Sequence, residues 1–175
     1  MKSGKSILAF VLIFVMMFSL SASAFADEAQ YKGTKEFLKA VDGDESLTCS
    51  LIGIVENDQG QKFEEVSISY DGELSDYIIK MKAQFSEDGE WILLSVPELL
   101  KIDEGEQLSI LALLNVLNAQ SDFVKFYLES SNWAISSKLG VIVREGVVAD
   151  IGMEAIACLV LQSDFAYQIL EEYDT

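Results

Sequence analysis

Histidine is absent from all 175 residues. Its absence removes the commonest general base, the commonest zinc ligand and the middle member of serine or cysteine catalytic sites. For nucleophilic chemistry the chain offers Ser136-Ser137-Lys138, the raw material of a serine–lysine pair. Adjacent residues on a strand face opposite sides, and no S-x-x-K pattern on a helix accompanies them, so the geometry is lacking. Two acidic stretches, Asp42-Gly43-Asp44-Glu45 and Glu56-Asn57-Asp58-Gln59-Gly60, look like calcium-loop fragments. Neither fits D-x-[DN]-x-[DN]-G with a glutamate at the twelfth position, so both read as acidic turns. With 29 acids in the chain, some pair across a cleft can always be nominated, and the choice carries no information. No glycine loop of the phosphate-cradling kind occurs. Neither a catalytic residue, a metal ligand nor a cofactor is assigned.

Those residues sit behind an export signal. Lys2 and Lys5 are followed by an apolar run from Ile7 through Phe18 to Leu20, then by small residues and Ala24-Phe25-Ala26. The run is short of the ~20 residues that span a bilayer as a helix. Its three-part order is that of a secretory signal peptide, residues 1–26, cleaved at the A-x-A site formed by Ala24 and Ala26. The mature chain is then expected in the periplasm or the medium, without membrane attachment. Removing 26 of 175 residues leaves 149, enough for one domain with a sizeable core. It also removes two of the 12 basic residues and none of the 29 acids, leaving a net charge of −19. A surface of that sign repels phosphate backbones and excludes nucleic acid as a partner.

Cys49 and Cys158 both lie in the mature part. Outside the cytoplasm a bridge between them is permitted. Each also has an apolar reason for its place, Cys49 in a strand and Cys158 on a helix face, so two separate buried thiols are the competing reading. Among the aromatics, Phe123, Phe126, Tyr127 and Trp133 span one strand pair. Alternation accounts for at least half of them as core, and the rest would form an aromatic contact face for another protein.

The elements that would position these groups follow from periodicity. Residues 27–33 read as an exposed lead-in to a domain over 34–175. Thr34 caps a short helix over 35–41. Strands are expected over 47–55 and 66–70, then a hairpin of 77–85 and 91–96 turned by Asp88-Gly89. Pro97 ends its second strand. A helix over 104–118 carries Leu108, Leu111, Ala112, Leu114 and Leu117 at helical spacing, with Asn118 stopping it in a left-handed conformation. Strands over 123–128 and 133–139 and a long helix over 144–173 complete the chain, with Gly152 allowing a close approach. The order α-β-β-β-β-α-β-β-α, with short turns between strands, describes an α+β domain: an antiparallel sheet with helices packed on it.

At Leu114 to Leu128 the sequence resembles the YbjN family, described as proposed bacterial sensory transduction regulators. An apolar helix ending in Leu117-Asn118 gives way, after a polar link, to the strand Val124-Lys125-Phe126-Tyr127. The hairpin at Asp88-Gly89 and the closing helix agree in order. The resemblance implies the fold of type III secretion chaperones, and with it a non-enzymatic module that binds polypeptides, regulates through contacts and commonly forms homodimers. It carries over no catalytic residue. Those chaperones work in the cytoplasm, whereas this chain has an export signal, which argues against a role in loading a secretion apparatus. A small-ligand or envelope-stress sensor is the second expectation, and an unrecognised hydrolase a distant third.

Overall fold

The computed structural model describes residues 22–144 and 146–175. Residues 1–21, most of the expected leader, lie outside that range. Helices α1 (Ala22–Glu28) and α2 (Lys32–Ala40) lead into β1 (Leu47–Glu56), β2 (Lys62–Tyr70), β3 (Ile79–Ser86) and β4 (Trp91–Lys101). A 3-10 turn at Glu104–Glu106 runs into α3 (Gln107–Gln120). Then come β5 (Lys125–Glu129), β6 (Ala134–Ile142), α4 (Val148–Leu170) and a 3-10 turn at Glu171–Tyr173. The six strands form one sheet in the order β1-β2-β3-β4-β6-β5, every pairing antiparallel. This is the expected α+β architecture with the expected order of elements, preceded by one additional helix.

Alternation sorts the sheet into two faces. Val66, Ile68 and Tyr70 of β2 stand opposite Ala83, Met81 and Ile79 of β3. Phe85 and Ala83 meet Ile92 and Leu94 of β4, which in turn meet Val141 and Leu139 of β6. These apolar rows lie under α2 and α4. The other face carries Ser67, Lys82, Ser95 and Lys138, register partners in one row across four strands. One apolar face against helices and one polar face toward water is what an antiparallel sheet in a two-layer domain requires.

The helices meet where a side chain would be in the way. A Cβ on Gly152 of α4 would come within 2.9 Å of the Phe37 ring of α2. Glycine therefore lets the two helices close on Phe37, which is fully buried with its ring centroid 5.2 Å from that of Phe85. The close approach expected of Gly152 is made here.

Local expectations failed where a distant residue took over a local task. Thr34 does not cap α2: the helix begins at Lys32, Tyr31 is the N-cap and no side chain of its own caps it. Thr34 lies inside the helix with its hydroxyl buried and without a partner. The carboxylate of Glu64, from β2, instead accepts the N–H of Gln30 at 2.7 Å and of Tyr31 at 2.8 Å. A buried negative charge there also complements the helix dipole. Pro97 does not end β4. The strand continues to Lys101 through a register shift between Val96 and Leu100, and an irregularity is where a residue without an N–H is tolerated.

Asn118 is not left-handed, and α3 runs two residues beyond it. Its side-chain amide instead accepts the Phe126 N–H at 2.7 Å and donates to the Phe126 carbonyl at 2.9 Å, on the outer edge of β5. The Lys125 ammonium returns the contact, donating to the helix-end carbonyls of Asn118, at 3.0 Å, and Ser121. The Leu-Asn and Lys positions of the resemblance are thus one helix–strand clasp. At the β3–β4 hairpin the expected Asp88-Gly89 turn is present, with Gly89 at φ 71°. The Ser86 hydroxyl donates to Asp88 at 2.6 Å and accepts the Trp91 N–H at 3.1 Å. Asp88 is held below the usual carboxylate range by that hydroxyl first and by the Glu90 N–H second.

Candidate functional site

The serine–lysine stretch divides between the two faces of β6. Ser137 points inward and shares a buried 2.8 Å hydrogen bond with Ser163 of α4. Ser136, itself buried, and Lys138 lie together on the opposite face, and both donate to the same oxygen of Glu129, at 3.0 and 3.2 Å. Glu129 is held below its ordinary range by the Ser136 hydroxyl first and Lys138 second. A carboxylate stabilised in its charged form is a poor base for the serine that donates to it. The Lys138 ammonium also stands 5.0 Å from the centre of the Tyr127 ring. This cluster ties β5 to β6.

The four aromatics separate. Phe126 is core, and Trp133, at φ 54°, packs partly buried against the core. Phe123 is 72% exposed in the link before β5, and Tyr127 is exposed on the polar face. No face made of all four exists. The bridge that the sequence permits is not formed either: both cysteines are free thiols, the competing reading. Cys49 is buried on β1 at one edge of the sheet, opposite Ile68, while Cys158 is half-buried on α4, which packs over β4 and β6. Burial first, and Asp44 second, push the Cys49 thiol up to about 12.

The cleavage-site residues are structured. Ala24 and Ala26 lie in α1, and Ala26 is 1% exposed within the core.

A cleft of about 650 Å³ lies beside the hairpin turn, between the start of α2 and the end of β6. Glu36, Glu87, Asp88 and Glu90 line it together with Lys32 and Arg144. Asp88 is moved down, away from the raised pKa that a catalytic acid needs. Among the described residues no group of three or more side chains could hold a metal ion. No helix among them is long and apolar enough to cross a membrane.

What the molecule presents instead is apolar. Helix α3 has no charged residue in its 14, yet buries only Ile110, Leu114 and Leu117. Leu108 and Leu111, expected on the buried stripe, face outward: Leu108 is 82% exposed. Leu108, Ala112 and Val116, at i, i+4 and i+8, form a ridge on the outer side, with Val116 53% exposed. On α4, Leu161 and Phe165 are each 50% exposed, and Ile169 follows at the same spacing. Sequence reasoning put Leu108, Leu111, Ala112 and Ile169 on apolar stripes and did not single out Val116, Leu161 or Phe165. The usable signal was the excess: an amphipathic surface helix puts charge on its outer side, and α3 has none.

No family model matches the chain, and no curated protein matches it. Among solved structures it is similar to the crystal structure of YbjN from E. coli, a proposed transcription regulator. The likeness covers 67% of this chain and 85% of that one, at 20% identity and a TM-score of 0.36.

Proposed function

We propose that this chain is a non-enzymatic polypeptide-binding module that works outside the cytoplasm. One observation carries the reading: a highly acidic chain leaves a charge-free helix, α3, with Leu108 and Val116 in the open. Contiguous exposed apolar surface on an otherwise charged molecule marks an interaction site. A protein partner gains from burying such a surface, whereas a small polar ligand would find little to bond there. The export part of the proposal rests on the leader. Under it, the bond after Ala26 is cut before the chain folds, because proteolysis needs exposed, extended chain, and Ala22–Ala26 of α1 leave with the leader.

The test uses immobilised mature protein, residues 27–175, presented with envelope extract, while light scattering gives its mass in solution. Polypeptides are expected in the eluate, and a Leu108→Glu/Val116→Glu variant with unchanged circular dichroism should recover far fewer. Equal recovery by both proteins, or none by either, overturns the reading.

A further inference from the structure

The expected cleavage junction runs through a helix, and the folded domain holds that helix on both sides of the bond. The bond after Ala26 lies within α1, Ala22–Glu28. The Ala29 N–H donates to the Phe25 carbonyl at 3.0 Å, a hydrogen bond that straddles the junction. On the leader side Ala26 is buried and Phe25 packs, partly buried, against the core. On the mature side Ala29 is buried too, and α1 as a whole packs on α2 and β1.

A second hold follows at once. Glu64 of β2 takes the backbone N–H groups of Gln30 and Tyr31 at 2.7 and 2.8 Å. Its side chain is buried, so losing those donors would leave a charge without partners, which is costly. Four residues separate Ala26 from Gln30 (30 minus 26), and four residues span at most about 14 Å when fully extended. Melting α1 alone therefore keeps the junction close to the sheet. Geometry adds to burial. An A-x-A signal consists of two small residues two positions apart. Extended chain puts such positions on one side, whereas a helix of 3.6 residues per turn sets them about 200° apart.

Resting on the export reading, we propose that the folded domain locks its own leader on: α1 and the Glu64 hold protect the junction from signal peptidase, so folding and processing compete for each exported chain. A chain that meets the peptidase first is hydrolysed at the Ala26–Asp27 bond. One water is added, leaving a carboxylate on Ala26 and an ammonium on Asp27, and the product folds without Phe25 and Ala26. A chain that folds first keeps α1, and with it the apolar run from Ile7 to Leu20. Phe25 is the part of the lock that can be altered without touching the product. It fills the unspecified position of A-x-A and leaves with the leader.

The full chain in mild detergent is diluted from urea, and purified bacterial signal peptidase is added at the moment of dilution or after refolding. A synthetic peptide of residues 15–35 serves as the unfolded junction, and mass spectrometry follows release of residues 1–26. The refolded chain should be cut at least about tenfold more slowly than the peptide, because cutting tracks the population of open chain. Addition at the moment of dilution should give mostly cut product. Phe25→Ser and Glu64→Ala should each speed cutting of the refolded chain about threefold or more. The Phe25→Ser rate is read relative to a peptide carrying the same change, and circular dichroism confirms that both variants are folded. Equal rates for refolded chain and peptide overturn the proposal and leave the export reading standing. If neither is cut after Ala26, both fall. Slow cutting that neither variant relieves also overturns the proposal, since the protection then lies outside α1 and Glu64.

Discussion

Helices α2 and α3 solve opposite problems. The 9 residues of α2 include charged ones, yet Gly33, Thr34, Phe37 and Leu38 are buried and a carboxylate from β2 closes its start. The 14 residues of α3 are uncharged, yet only three are buried. Apolar content and burial have come apart: α2 is held by what it packs against, while α3 keeps its apolar residues available. The comparison teaches that hydrophobicity in this chain marks two different things. One helix uses it for folding, and the other leaves it in the open.

The sharpest way to break this contrast is to weaken α2 at its centre. Phe37→Ala empties a fully buried ring site and should cost about 3–5 kcal/mol in urea unfolding. Next is Glu64→Ala, which leaves two backbone donors without their charged acceptor. About 2 kcal/mol should be lost, by the same measurement. Cys49 extends the contrast to a titratable group on the covered face. Its thiol stays protonated when folded up to about 12, against 9.0 for an unperturbed thiol. Its contribution is therefore complete below pH ~9 and is lost as pH rises toward 12. Stability should fall over that window, and Cys49→Ala should flatten the fall. Thr34→Val replaces an unpartnered buried hydroxyl with a methyl group and should stabilise by about 1 kcal/mol. Smallest of all, Leu108→Gln on α3 should change stability by less than about 0.5 kcal/mol while weakening partner capture. A large loss of stability there would place α3 in the folding class with α2.

The order of elements was legible because hairpin turns and periodic segments are local signals. Asp88-Gly89 announces its turn, and the strand it closes alternates as expected. What was illegible depended on residues far apart in the chain. Nothing near Thr34 says that Glu64, thirty residues on, will serve α2 in its place. Nothing near Asn118 says that its amide will be drawn to Phe126 rather than to a left-handed stop. Pro97 read as an end because sequence alone does not show a register shift. The candidate surface was half-legible. Leu108, Leu111 and Ala112 were read on the wrong side, and Val116, Leu161 and Phe165 were not singled out, because a helix at the margin of the sheet has more apolar sides than core to cover.

The Asn118 clasp bears on how this protein behaves in a crowd. An open sheet has two unpaired edges, and each is a template on which another chain can add a strand. At β5 the backbone N–H and C=O of Phe126 are already taken by the Asn118 amide. At β1 the register slips between Leu51 and Gly53, with Gly53 at φ 110°, so a straight incoming strand finds no continuous partner. One edge is plugged and the other is bent. A protein with exposed leucines is open to stray association, and closing both edges leaves it sticky through side chains only. Encounters with the wrong chain can then let go again, rather than growing strand by strand into a fibre.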